Sequence, residues 1–129
     1  MKLSIRAKNI ELNTELRNYV EEKIGETLDK LLVREKPPLE AGVELIRLTY
    51  HHQKGMIYRT EVQVFLHGHQ VIAEANGETI KEAIDAVKDE LEREIKSHRG
   101  KEEAIARKKE RFLKRLMKIS PLAMFKKKK

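Results

Sequence analysis

A chain of 129 residues has room for one compact domain and an appendage, not for two domains. It contains no cysteine, which excludes disulfides and thiolate chemistry and fits a reducing, cytoplasmic setting. The net charge of +7 is unevenly spread: residues 1–100 hold 16 Lys+Arg against 18 Asp+Glu, and residues 101–129 hold 12 against 3. A block of like charge marks an arm for a polyanion or a solvated tail.

The opening MKLSIRAKNIEL lacks the apolar core of a signal peptide. Its KLSIRAK instead alternates, with Leu3, Ile5 and Ala7 on one face of a half-buried strand. The period then changes. Leu16, Val20, Ile24, Leu28 and Leu31, flanked by Tyr19 and Thr27, make a helical stripe, and Asn13 is placed to cap its start. Gly25 weakens this helix without ending it, whereas Pro37 and Pro38 cannot continue it.

Three strands follow at about 42–50, 56–66 and 70–76. The second sets Tyr58, Thr60, Val62, Val64 and Leu66 on one side. The first changes phase between Leu45 and Ile46, which predicts a bulge or burial on both faces. HGHQ around Gly68 reads as a tight hairpin turn.

A second helix is expected from about Thr79 to Arg99, with Ile80, Ile84, Val87, Leu91 and Ile95 inward. The order β-α-β-β-β-α predicts one parallel crossover and an antiparallel meander in a two-layer α+β domain, residues 1–100. Its sheet would be mixed and four-stranded, with both helices on one face. Residues 101–129 form a basic, partly helical tail. There Ile105, Phe112, Leu113, Leu116 and Ile119 keep roughly helical spacing until Ser120-Pro121 breaks it.

Chemistry finds little support. His51 and His52 sit in one link, His67 and His69 in another, and a ten-residue strand would hold the pairs about 30 Å apart. No single ion joins them. Carboxylates fall at spacings that make solvent ion pairs, such as Asp89–Arg93 and Glu92–Lys96. No phosphate-binding glycine loop, nucleophile motif, metal set or cofactor motif is present, so nothing points to an enzyme.

Binding has better support. On the second helix Lys81, Lys88, Lys96 and Arg99 lie on one flank of the apolar stripe, Glu90 and Glu94 lie on the other, and Arg93 faces outward. Cations at a helix C-terminus also favour the helix dipole, so this helix alone decides nothing. The tail adds Lys101, Arg107, Lys108, Lys109, Arg111, Lys114 and Arg115, and the sum favours a phosphate-rich partner. The few aromatic residues are not spaced as a base-stacking platform, so recognition would rest on shape and phosphates, as on structured RNA.

Two segments, LSIRAKNIELNTELRNYVEEKIGETL and AEANGETIKEAIDAVKDELEREIKSHRGK, resemble the ends of the ribosome hibernation-promoting factors. This is the ribosome-associated translation-inhibitor family, also called sigma-54 modulation proteins. The resemblance covers residues 1 to about 101. It is carried by Ile10-Glu11, by the capped helix start with Leu16-Arg17 and Tyr19-Val20, and by Ala83-Ile84-Asp85.

The resemblance implies a fold like a double-stranded-RNA-binding domain. It implies a non-enzymatic plug in the tRNA/mRNA channel of the small (30S) ribosomal subunit, against 16S rRNA, that inhibits translation and keeps idle ribosomes intact. By motif, the rRNA-facing residues are Arg93, Lys96 and Arg99, with Lys101 just beyond. Family members commonly carry lysine where Glu90 stands, glutamine at Glu94, lysine at Ser97 and an aromatic residue near Lys81. This helix is thus less positive than the pattern. The residues after Lys101 are too few and too charged for the separate dimerising domain of long members.

Two other readings stay open on the residues alone. A general duplex-RNA binder shares the charge logic. A membrane-surface element would use Phe112, Leu113 and Leu116 with Lys114 and Arg115.

Overall fold

The computed structural model describes residues 2–34, 40–49, 57–66 and 69–119. Strand β1 spans Lys2–Lys8, α1 spans Thr14–Val20, a π-helical turn spans Glu21–Gly25 and α2 spans Glu26–Leu31. Strands β2 (Glu40–Arg47), β3 (Tyr58–Leu66) and β4 (His69–Gly77) precede a long helix α3, Ile80–Ile119. The chain divides into two compact units, Met1–Lys96 and Ser97–Lys129.

The sheet order is β1-β2-β3-β4, with β1 parallel to β2 and the other neighbours antiparallel. This is the mixed four-stranded α+β arrangement that the element order implies. Period-two alternation buries Ala41, Val43 and Leu45 on β2, Thr60, Val62, Val64 and Leu66 on β3, and Val71 and Ala73 on β4. These join Leu16, Val20, Ile24 and Leu28 of the first helical segment and Ile84, Val87, Leu91 and Ile95 of α3 in one core. Full burial of a leucine or isoleucine contributes about 2–3 kcal/mol. Ile24, Leu28, Leu45, Ile84, Leu91 and Ile95 reach it.

Local signals hold the element ends. Asn13 Oδ1 accepts from the Leu16 N–H at 2.8 Å, the expected N-cap. Thr79 Oγ1 accepts from the Glu82 N–H, and the Glu82 carboxylate reaches back to the Glu78 N–H, both at 3.1 Å. Gly77 has no alternative residue here, because an added Cβ would lie 2.5 Å from the Ala83 nitrogen. Asn9 sits in the left-handed region at φ 61, which asparagine tolerates, and its amide donates to the Arg47 carbonyl.

Two expectations need correction, and the structure decides between the two readings of β2. The first helix is not uniform: the Glu26 N–H bonds to the Glu21 carbonyl, five residues back. Its apolar residues recur every four positions, slower than the 3.6-residue turn, and one widened turn absorbs much of that drift. The stripe therefore ends on buried Leu32, and Leu31 is only half-buried. Strand β2 has no bulge, since its pairing runs without a break from Glu40 to Arg47. Its phase change is partial burial on the second face, where Ile46 is half-buried. Arg93 pairs with Glu90, not Asp89, and no ion pair joins Glu92 to Lys96 among the described residues. His51, His52, His67 and Gly68 lie outside the described residues.

Candidate nucleic-acid interface

The expected binding residues divide between the two units. In the first, α3 from Ile80 to Lys96 carries Lys81, Lys88, Arg93 and Lys96 among six carboxylates. Three of the four cations are constrained. Lys81 pairs with Glu15 at 3.1 Å and stands 5.3 Å from the centre of the Tyr19 ring. Lys88 is half-buried, Arg93 is paired with Glu90, and Lys96 is exposed.

Tyr19 is the residue that charge counting missed. It lies between Lys23 and Lys81, and its hydroxyl donates to Asp85 at 2.7 Å. That hydrogen bond, then burial and the charges of Asp85 and Glu22, push the phenol up to about 12. The contact ties α1 to α3 across 66 positions of sequence. Tyr19-Val20 and Ala83-Ile84-Asp85 were separate marks of family resemblance, and the fold brings them together.

The face of the sheet away from the core offers little to phosphate. Register places Arg6, Glu44, Glu61 and Glu74 in one row across all four strands. Burial first, then a hydrogen bond to Glu74 and the charges of Glu74 and Glu44, raise the Glu61 carboxyl above its ordinary range, and Arg59 opposes them. Arg59 lies 3.6 Å from Glu74 and donates to Asn76 at 3.0 Å.

The second unit differs. Between Ser97 and Ile119 the sequence holds nine Lys+Arg and three Glu. Arg107 pairs with Glu103 at 4.0 Å, and Lys114 with Glu110 at 3.4 Å. His98 contacts Glu102 at 3.2 Å, and half-buried Arg99 makes an interaction of its own. Lys101, Lys108, Lys109, Arg111 and Arg115 are exposed and make no ion pair among the described residues. Exposed ion pairs are worth only about 0–1 kcal/mol, so even the paired cations exchange a carboxylate for a phosphate at small cost.

No group of three or more metal-ligating side chains occurs among the described residues, and no described helix is long and apolar enough to cross a membrane. The arrangement can hold polyanions electrostatically, with its net positive charge concentrated after Ser97.

Comparison with known proteins agrees with the fold. A ribosome hibernation promoting factor of Pseudomonas putida is 28% identical over 108 residues, covering 81% of this chain and 93% of that protein. The N-terminal domain of Protein Y from Thermus thermophilus is 30% identical with a TM-score of 0.58, covering 76% of this chain and 99% of that one. A ribosomal subunit interface protein from Coxiella burnetii shares the fold at 16% identity, with a TM-score of 0.56 and coverage of 78% and 99%. The profile described as "Sigma 54 modulation protein / S30EA ribosomal protein" matches residues 3–103, and this chain belongs to that family.

Proposed function

We propose that this chain is a non-enzymatic, cytoplasmic ribosome hibernation factor. It occupies the tRNA/mRNA channel of the small subunit, contacts 16S rRNA, holds translation off and preserves idle ribosomes. The observation that carries this reading is the run of unpaired exposed cations, Lys101, Lys108, Lys109, Arg111 and Arg115, on a member of this family. The P. putida relative is named for ribosome hibernation, which supports the choice of partner.

Binding of this kind needs shape and charge, not chemistry. The α+β body supplies a rigid wedge, while Lys96 and the tail cations displace counterions from rRNA phosphates. Lys81 and Arg93 act less directly, because six carboxylates between Ile80 and Lys96 outweigh the four cations there and repel phosphate. The body is a plug and the tail its electrostatic anchor.

Co-sedimentation of the protein with purified small subunits across a salt series tests this. Binding should fall steeply with salt and resist competition by unrelated duplex RNA. Failure to pellet with ribosomes sinks the reading. Equal competition by any duplex RNA would favour a general duplex binder instead.

A further inference from the structure

Within Ser97–Ile119, Ile105, Phe112, Leu113 and Leu116 are 54%, 60%, 49% and 44% exposed. At about 100° per residue they share one side of the helix. Ile105, Phe112 and Leu116 keep the spacing of a coiled-coil seam, and Leu113 lies beside it. His98, Ile105 and Phe112 occupy one set of seam positions, and Glu102, Lys109 and Leu116 the other. Along one edge run Lys101, Lys108 and Arg115 at intervals of seven, without ion pairs among the described residues. Of the other cations, Arg107, Arg111 and Lys114 project from the opposite side of the helix.

This pattern separates the candidate occupants of the stripe. Phosphate backbones offer charge but little apolar surface to cover Phe112 and Leu116. A parallel second copy would set Glu102 against Glu102 and Lys109 against Lys109. An antiparallel copy would set the Lys101–Lys108–Arg115 row against itself, and like charges at these positions oppose pairing. A helix lying in a lipid surface gains most from cations bordering its apolar face. Here Arg107, Arg111 and Lys114 point away, and the side opposite the lysine row carries Glu103 and Glu110 together with Arg99.

We propose that this seam is an interaction site for another protein: a partner helix whose apolar stripe is flanked by carboxylates. The partner's apolar residues cover Ile105, Phe112 and Leu116. Its acidic edge meets Lys101, Lys108 and Arg115, and Lys109 within the seam fixes the register. Only Arg111 of the proposed rRNA anchors lies on the far face, with Arg107 and Lys114, so Lys101, Lys108, Lys109 and Arg115 serve either rRNA or the acidic helix and the two partners compete for them. The site stands on the tail's own geometry and not on the ribosome reading.

The test uses the full chain and two synthetic helical peptides with the same Leu/Ile seam, one flanked by Glu and one by Lys, followed by fluorescence anisotropy. The Glu peptide should bind at least about ten-fold more tightly, as three edge pairs would give. Phe112→Ser with Leu116→Ser should weaken it by about thirty-fold or more. The triple change Lys101→Glu, Lys108→Glu, Arg115→Glu should reverse the preference. Arg107→Glu, Arg111→Glu, Lys114→Glu has the same net charge and should leave the preference in place. Circular dichroism and urea midpoints confirm that these surface variants remain folded. The proposal is overturned if both triples behave alike, since net charge alone would then account for binding. Equal binding of the two peptides, or no loss in the serine variant, also overturns it. So does a stripe-dependent homodimer in sedimentation equilibrium, or stripe-dependent binding to phosphatidylglycerol vesicles in place of the Glu peptide.

Discussion

Helix α3 puts the same residue type to two uses. Ile95, in the first unit, is fully buried against the sheet, and Ile105, in the second, is 54% exposed. Around Ile95 the helix carries four cations among six carboxylates, whereas Ser97–Ile119 carries nine against three. The apolar stripe keeps helical spacing in both stretches. Apolar spacing states which side of a helix avoids water; packing decides whether anything meets it. The first unit stores stability and the second stores unspent binding capacity.

The sharpest way to break that contrast is to truncate both isoleucines. Ile95→Ala should cost about 3–4 kcal/mol in urea unfolding through lost burial and the cavity left behind. Ile105→Ala should stay within about 0.5 kcal/mol. Comparable losses at both sites would mean that the tail stripe is covered in the free protein.

Charge should sort in the opposite direction. Lys108, Lys109, Arg111 and Arg115 changed together to Gln should lower affinity for small subunits by about a hundred-fold and flatten the salt dependence by about three contacts. Lys88, Arg93 and Lys96 changed together to Gln should do less, because Lys88 is half-buried and six carboxylates surround this set. A larger effect from the body set would move the anchor off the tail.

A smaller change sharpens the role of the body as a store of stability. Thr60 is fully buried, and its hydroxyl has no hydrogen-bond partner among the described residues. Thr60→Val keeps the shape and removes the unsatisfied group. It should raise stability by about 1 kcal/mol and leave ribosome binding unchanged, read by thermal unfolding and co-sedimentation.

The smallest expected effect lies at Tyr19. Its phenol ionises near 12 in the folded protein, above its ordinary value of 10. Its contribution to stability is therefore full below pH 10 and is lost as pH rises through about 12. Tyr19→Phe should abolish the tyrosinate absorbance step near pH 12 and cost less than about 1 kcal/mol at neutral pH.

Much of the body was legible in order. Alternation in KLSIRAK and in Tyr58–Leu66 identified inward faces, and helical stripes named most of the core. The site was less legible. Lys81 and Arg93 read as available cations, yet Glu15 lies 66 positions from Lys81, and Glu90 took Arg93 in place of the expected Asp89. Counting charge along one helix cannot register a partner brought in by another element.

The sequence by itself determined the periodicities, the Asn13 cap and the concentration of positive charge from Lys101 onward. These are local properties, fixed by side-chain size, backbone freedom and charge within a few residues. Tertiary structure alone decided that one π-helical turn would deliver Leu32, not Leu31, to the core. It also joined Tyr19 to Asp85 and left Ile105, Phe112, Leu113 and Leu116 uncovered. Each of those outcomes depends on which surfaces meet in space, and no local pattern encodes that meeting.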